Sequence, residues 1–348
     1  MHFNKDHGKK RMSHNLCYNP PPSIDPGIRC IADPLIHHGR HFGWTIHAMC
    51  NVQALITNGL LRLGELAAVP DESFTAEERR QFRVFRALLQ MIPCIEERII
   101  NGDDGEPAHV ADMIQKGAAS ARSDDTKSLK GPIIDWITPR DQPLRPPLAR
   151  NVKIDRGFNH EVTGALLCPA ELNWSDPEIK QQLRSGERAV LGDQWPIFLY
   201  ANCKYDPEDP WEGLLRNTLL VSASTVAPHR SMEKEPKATR SENARLHGMT
   251  KATTGSIAYI ATQTRFALCS SAVFSRTDTV TDSERFYSSI LDLLEDPEEK
   301  AEVDRLLAWW NQQIFPNYST GRKPAQNTAL CRIQARRALL FIQNQSHP

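Results

Sequence analysis

No two of the eight cysteines stand closer than thirteen residues, and no CxxC pair occurs. A zinc ribbon or a thioredoxin-like site draws two thiols from one tight turn, so neither chemistry is available. Scattered, reduced thiols are expected instead, as in the cytosol or nucleus. There is no stretch of about 18 apolar residues that could span a bilayer. The first residues carry Lys9, Lys10 and Arg11 with no apolar run behind them, so no secretory signal and no membrane association are expected. Neither GxGxxG nor a phosphate loop ending in GK[ST] is present, which removes the common nucleotide-binding signatures. Net charge is missing as well: 42 basic residues balance 42 acidic ones, against a globally basic nucleic-acid coat. Strand signals are scarce, with Ile133–Ile137 and Ile197–Tyr200 the two short exceptions, and no repeat of fixed period is visible.

What remains is a chain built for helices. Hydrophobic residues make up 40% of its 348 positions, and the twelve Phe and seven Trp supply large apolar areas. That is enough for a sizeable core without disulfides or a structural metal. Apolar residues at Ile36, Phe42, Ile46, Met49, Ile56, Leu60 and Leu63 follow helical spacing and predict one long amphipathic helix. Thr75 with Glu78 reads as a capping box opening the next helix, which carries Phe82, Phe85, Leu88 and Leu89 and closes near Pro93. Another runs from about Pro107 to Ala121. Asp-Pro pairs at 176–177, 209–210 and 296–297 each place an N-cap acceptor before a proline suited to the first helical turn, predicting three more helix starts. Further helices are expected around Ile257–Leu268, Ser283–Leu294 and Thr328–Ile342.

The fold class expected is mainly α, an irregular multi-helix bundle of two lobes with at most a few short strands. Residues 1–33, rich in proline, asparagine and histidine, should be extended or disordered. Residues 34–130 should form a first helical lobe and 131–152, with five prolines, a surface connector. A second lobe starts over 153–222, is interrupted by a mobile basic linker at 223–252, and continues over 253–343. Charge is uneven locally. Nine carboxylates lie between Asp282 and Asp304 against Arg285 and Lys300, whereas residues from Thr320 onward hold five basic residues and no acid. Such blocks read as solvated faces or as complementary partner surfaces.

Few residues suggest chemistry. His37 and His41 stand one helical turn apart with His47 nearby, the arrangement of metal ligands on a helix. A zincin needs glutamate directly after the first histidine, and His38 occupies that place, so no metal and no cofactor are expected. Asn159 and His160 follow Gly157 at a helix start, and with Asp193 they could converge as a polar site; the alternative is that Asn159 or His160 simply caps the helix. Arg332, Arg336 and Arg337 could line a phosphate-facing stripe, giving weak, salt-dependent nucleic-acid binding. Trp195, Trp211, Trp309 and Trp310 read as core rather than as a ligand cage.

The strings "HAMCNVQALITNGLLRLGEL", "RGFNHEVTGALLCP", "GDQWPIFLYANCKYDPEDPWEGLLR", "EKEPKATRSENARLHGMT" and "FSRTDTVTDSERFYSSILDLLEDPEEKAEV" are similar to a large family of uncharacterised proteins from mushroom-forming (basidiomycete) fungi. The resemblance covers roughly residues 15–340 and carries no activity, cofactor or catalytic residue with it. Its members resemble products of lineage-specific gene expansion, compatible with mobile-element or chromatin association. Trp44, where the family's pattern has a basic residue, and the short Ser224–Met232 segment mark this copy as a divergent paralogue. The function expected is that of a non-enzymatic helical interaction protein with a protein partner; the alternative is an enzyme of unrecognised type with a polar site around Asn159 and His160.

Overall fold

The computed structural model describes residues 34–226, 249, 251–275 and 282–315. Among them twelve α-helices account for the architecture, and no strand forms. The expected mainly α fold is what the chain adopts. In order the helices are α1 (Pro34–Thr45), α2 (Val52–Leu63), α3 (Ala76–Met91), α4 (Ile95–Asn101), α5 (Glu106–Lys130) and α6 (Pro132–Ile137). Then follow α7 (Glu161–Leu167), α8 (Pro177–Ser185), α9 (Thr218–Val226), α10 (Thr254–Leu268), α11 (Ser283–Glu295) and α12 (Lys300–Ile314).

Buried apolar side chains fall into two clusters. Phe42, Ile56, Phe85, Leu88 and Ile114, from α1, α2, α3 and α5, centre the first. The larger one gathers Trp44, Leu129, Phe198, Tyr259, Phe286 and Trp310. Helix α5 serves both, its first half giving Val110 and Ile114 to one and its second half giving Ala121 and Leu129 to the other. Helix α1 packs along α5 at unusually close range, because Gly39 and Gly117 leave room for the opposing backbone. A Cβ on Gly39 would lie 2.3 Å from the Ile114 carbonyl oxygen, and one on Gly117 would lie 2.2 Å from that of Ile36.

Helix α10 is the axis of the larger cluster. Every residue from Gly255 to Leu268 is buried, so this helix shows no polar face to solvent. Thr262 and Thr264 each donate to the carbonyl four residues back, at 2.8 Å, whereas the Gln263 amide is buried with no hydrogen-bond partner. Its start is pinned by Thr253, whose hydroxyl accepts from Ser256 N at 3.1 Å and donates to Thr45 O at the end of α1 at 2.6 Å. Replacing Thr253 by alanine removes both bonds and should lower stability by about 1–2 kcal/mol in urea denaturation, while serine should stay close to wild type.

Several local expectations are corrected. The long helix expected from Ile36 to Leu63 is two, because Asn51 caps a new start, its side chain accepting from Ala54 N at 3.1 Å. Ile133–Ile137 is helical, not a strand: Pro132 takes the first helical turn, where its missing N–H costs nothing, and Ile133 and Ile134 turn inward. Ile197–Leu199 is one 3₁₀ turn. The only pairings among the described residues are isolated bridges, Pro169 with Pro196 and Tyr200 with Leu214. Asp176 and Asp296 do cap, accepting from Glu178 N and Glu298 N. Asp209-Pro210 opens a turn instead of a helix, since Gly213 and Leu215 follow in left-handed conformation. Helix α9 continues to Val226 with Ala223 and Ser224 buried. The rest of the basic 223–252 stretch, apart from Met249 and residues 251–252, lies outside the described residues, as does the expected terminal helix.

Candidate functional site

Three places concentrate polar chemistry. The first is a carboxylate inside the main core. Asp125 of α5 is 4% exposed and receives the Trp44 indole N–H at 2.8 Å and the Tyr259 hydroxyl at 2.5 Å, joining α5 to α1 and α10. Burial pushes its pKa up to about 6, although both hydrogen bonds favour the ionised form. Burial, together with the neighbouring Asp125 charge, holds the Tyr259 phenol far above its ordinary range, so it stays a donor. Nearby, the α1–α2 loop is held through Ala48, whose N–H donates to the Tyr287 hydroxyl and whose carbonyl accepts from Arg122. The arrangement ties helices together.

The second place is the C-terminus of α10, where carbonyls without intrahelical partners face inward. Arg156 is completely buried and donates to Ala267 O and Lys130 O, both at 2.7 Å, thereby also closing the end of α5. Lys153, 4% exposed, donates to Phe266 O and, at 2.7 Å, to Ser271 O. Cations at a helix C-terminus meet its negative dipole end, which compensates part of their desolvation. Burial still lowers the Lys153 pKa to about 8, with the Arg156 charge adding to the shift and Cys269 opposing it.

The third is a shallow surface groove along α7. It consists of two neighbouring pockets that share Val162 and Leu166 in their walls. One end, of about 410 Å³, is completed by Glu161, Ala165, Ile197 and Cys203. The other, of about 200 Å³, is walled by Trp136 and Ile137 of α6 and by Asn217–Leu219 and Ser222 around α9. None of the buried ionic residues lines it. Its acid, Glu161, is already engaged by Lys180, Arg184 and the Trp174 indole.

The residues singled out from sequence are dispersed. His160 is 1% exposed and caps α7: Nδ1 accepts from Val162 N at 3.1 Å, and Nε2 lies 2.8 Å from Pro146 O, so it holds the ring proton. With both nitrogens occupied, the ring has neither a lone pair nor a proton for a substrate. Asn159 donates to Ile154 O at 3.0 Å, and Asp193 pairs on the exterior with Arg285 of α11 at 2.7 Å. These three share no hydrogen bond. His37 is exposed on α1, and His41 is half-buried with its Nδ1 lacking a partner. Burial, then His38 and His37, lowers the His41 pKa and keeps the ring neutral. His47 lies beyond the helix end, accepting from Met49 N and packing edge-on against Tyr287. Among the described residues no group of three or more His, Cys, Asp or Glu could hold a metal ion. Arg332, Arg336 and Arg337 lie outside the described residues.

The burial of Asp125 has a signal in the sequence. Asp125 falls four residues after Ala121 and four before Leu129, on the buried stripe of α5, where a lone carboxylate demands a partner. Lys153 and Arg156 follow a proline-rich stretch with no periodicity, and nothing local marks them as buried.

Residues 116–315 match a protein family described as a family of unknown function, DUF6698. The chain belongs to this family. The DUF6698 match begins midway along α5 and ends just after α12. It therefore holds α10, the Lys153–Arg156 clamp and the α7 groove, while Trp44, which completes the Asp125 cluster, enters from helix α1 outside it. No curated protein and no solved structure matches the chain.

Proposed function

We propose that this DUF6698 member is a non-enzymatic interaction protein that receives the apolar face of an amphipathic helix from a protein partner in its α7 groove. The observation that carries the reading is the contrast between interior and surface. Asp125, Lys153, Arg156 and His160 direct the hydrogen bonds they make into the fold, whereas the groove offers an open wall of Val162, Ala165, Leu166 and Ile197. Apolar walls with Glu161 in one pocket and the neutral Asn217, Thr218 and Ser222 in the other suit the apolar face and polar margins of a helix. We place this activity in the cytosol or nucleus of a mushroom-forming fungus, where mobile-element or chromatin association is the setting that the sequence resemblance implies.

A photo-activated cross-linking residue at Ala165, on the groove, is compared in cells with one at Gln181, on the exposed side of α8. A reproducible partner joined only from Ala165 through an amphipathic helical segment is expected. The purified pair should then bind with little dependence on salt, and Ala165→Arg should weaken binding by roughly tenfold or more. Identical capture from both positions, or binding that collapses with salt as phosphate contacts do, overturns the reading.

A further inference from the structure

We propose that Lys153 and Cys269 form an oxidative switch, in which a peroxide converts the neighbouring amine and thiol into a reversible covalent S–N link. Lys153 Nζ lies 3.7 Å from Cys269 Sγ. Both groups are held in place: the amine by Phe266 O and Ser271 O and by its position 3.3 Å from the centre of the Phe266 ring, the thiol by its own donation to Phe266 O at 3.1 Å. Cys269 is only half-buried, so a small oxidant can reach sulfur while a protein thiol has poor access. Cys168 and Cys203 differ, facing a carbonyl and an amide nitrogen.

In the first step hydrogen peroxide transfers one oxygen to Cys269, giving sulfenic acid and one water. The unprotonated Lys153 amine then attacks sulfur; the S–N bond forms, the S–O bond breaks, and hydroxide leaves with an amine proton as a second water. One peroxide is reduced, and the thiol–amine pair loses two electrons and two hydrogens. The depressed Lys153 pKa, about 8, leaves roughly a tenth of the amine neutral near pH 7, against a negligible fraction for an ordinary lysine. The nitrogen keeps one hydrogen for a single carbonyl, so the link tightens the chain at the end of α10 while freeing one acceptor. An external thiol attacking sulfur frees the lysine and leaves a mixed disulfide on Cys269; a second thiol, or the second sulfur of a dithiol, then releases the cysteine and departs as disulfide.

The full chain treated with peroxide, digested without reductant and read by tandem mass spectrometry should contain the Lys153 peptide joined to the Cys269 peptide. Its mass should fall about 2 Da below their sum, and dithiothreitol should separate them. Cys269→Ser should lack the species. Lys153→Arg keeps a cation on the same carbonyls but removes the nucleophile, and should give dimedone-reactive or over-oxidised Cys269 with no link. Wild-type protein whose Cys269 becomes sulfinic acid, or enters a disulfide, while Lys153 stays unmodified overturns the proposal.

Discussion

Gly117→Ala should destabilise the protein by about 3 kcal/mol or more, or prevent folding, although alanine is the better helix former by about 1 kcal/mol. The added methyl would stand 2.2 Å from Ile36 O and 2.9 Å from Arg40 N, and both are backbone atoms of the facing helix. No rotamer relieves such a clash; only separation of α1 from α5 does. That separation would draw Trp44 away from Asp125 and leave a buried carboxylate with one donor fewer. Gly105→Ala is the control. It precedes the same helix with an ordinary φ of −86° and nothing within 4 Å of its new Cβ, so it should be neutral or gain up to about 1 kcal/mol. Urea midpoints report the difference, and Trp44, fully buried in the native state, should report loosening by red-shifted fluorescence. Equal stability of the two variants would show that the α1–α5 crossing is not tight.

How much of this was legible in the sequence depended on whether the determining contact was local. Thr75 and Asp176 satisfy N–H groups two or three residues away, so their caps could be read directly. Asn51 works equally locally, but it sits inside a continuous apolar stripe that masks the break between α1 and α2. Helix α10 was legible as a helix and not as the centre of the molecule. Its Thr, Gln and Ser residues look like a solvated face, and only the six helices around it make them interior. The prolines after residue 131 suggested a connector, yet Pro132 starts a helix because proline is harmful only beyond the first turn. Candidate sites fared similarly. The capping role of His160 is legible from its place before an apolar run. The α7 groove could not be foreseen, because its walls come from α6, α7, α9 and the 3₁₀ turns near Ile197, brought together by tertiary packing alone.

Asp125 gives the second large expectation, and its sign runs against the usual behaviour of carboxylates. A paired surface aspartate loses stabilising interactions when acid protonates it; Asp125 is penalised while ionised. Its folded pKa, about 6, lies above the ordinary 3.8, so the native state binds the proton more tightly than the unfolded chain does. The associated stability is fully present below about pH 3.8 and disappears as pH rises through about 6, a difference of about 3 kcal/mol between the limits. His41 opposes it, since its lowered pKa makes the folded state weaker as pH falls through its titration. Comparison with Asp125→Asn separates the two. The amide oxygen can still accept from Trp44 and Tyr259 but cannot ionise, so the variant should match or exceed wild type at pH 7.5 and lose its advantage near pH 5. Urea midpoints measured from pH 5 to pH 7.5 supply the test. A wild type that gains stability over that range no differently from the variant would mean that Asp125 ionises at its ordinary pKa, and that Trp44 and Tyr259 solvate its charge as well as water does.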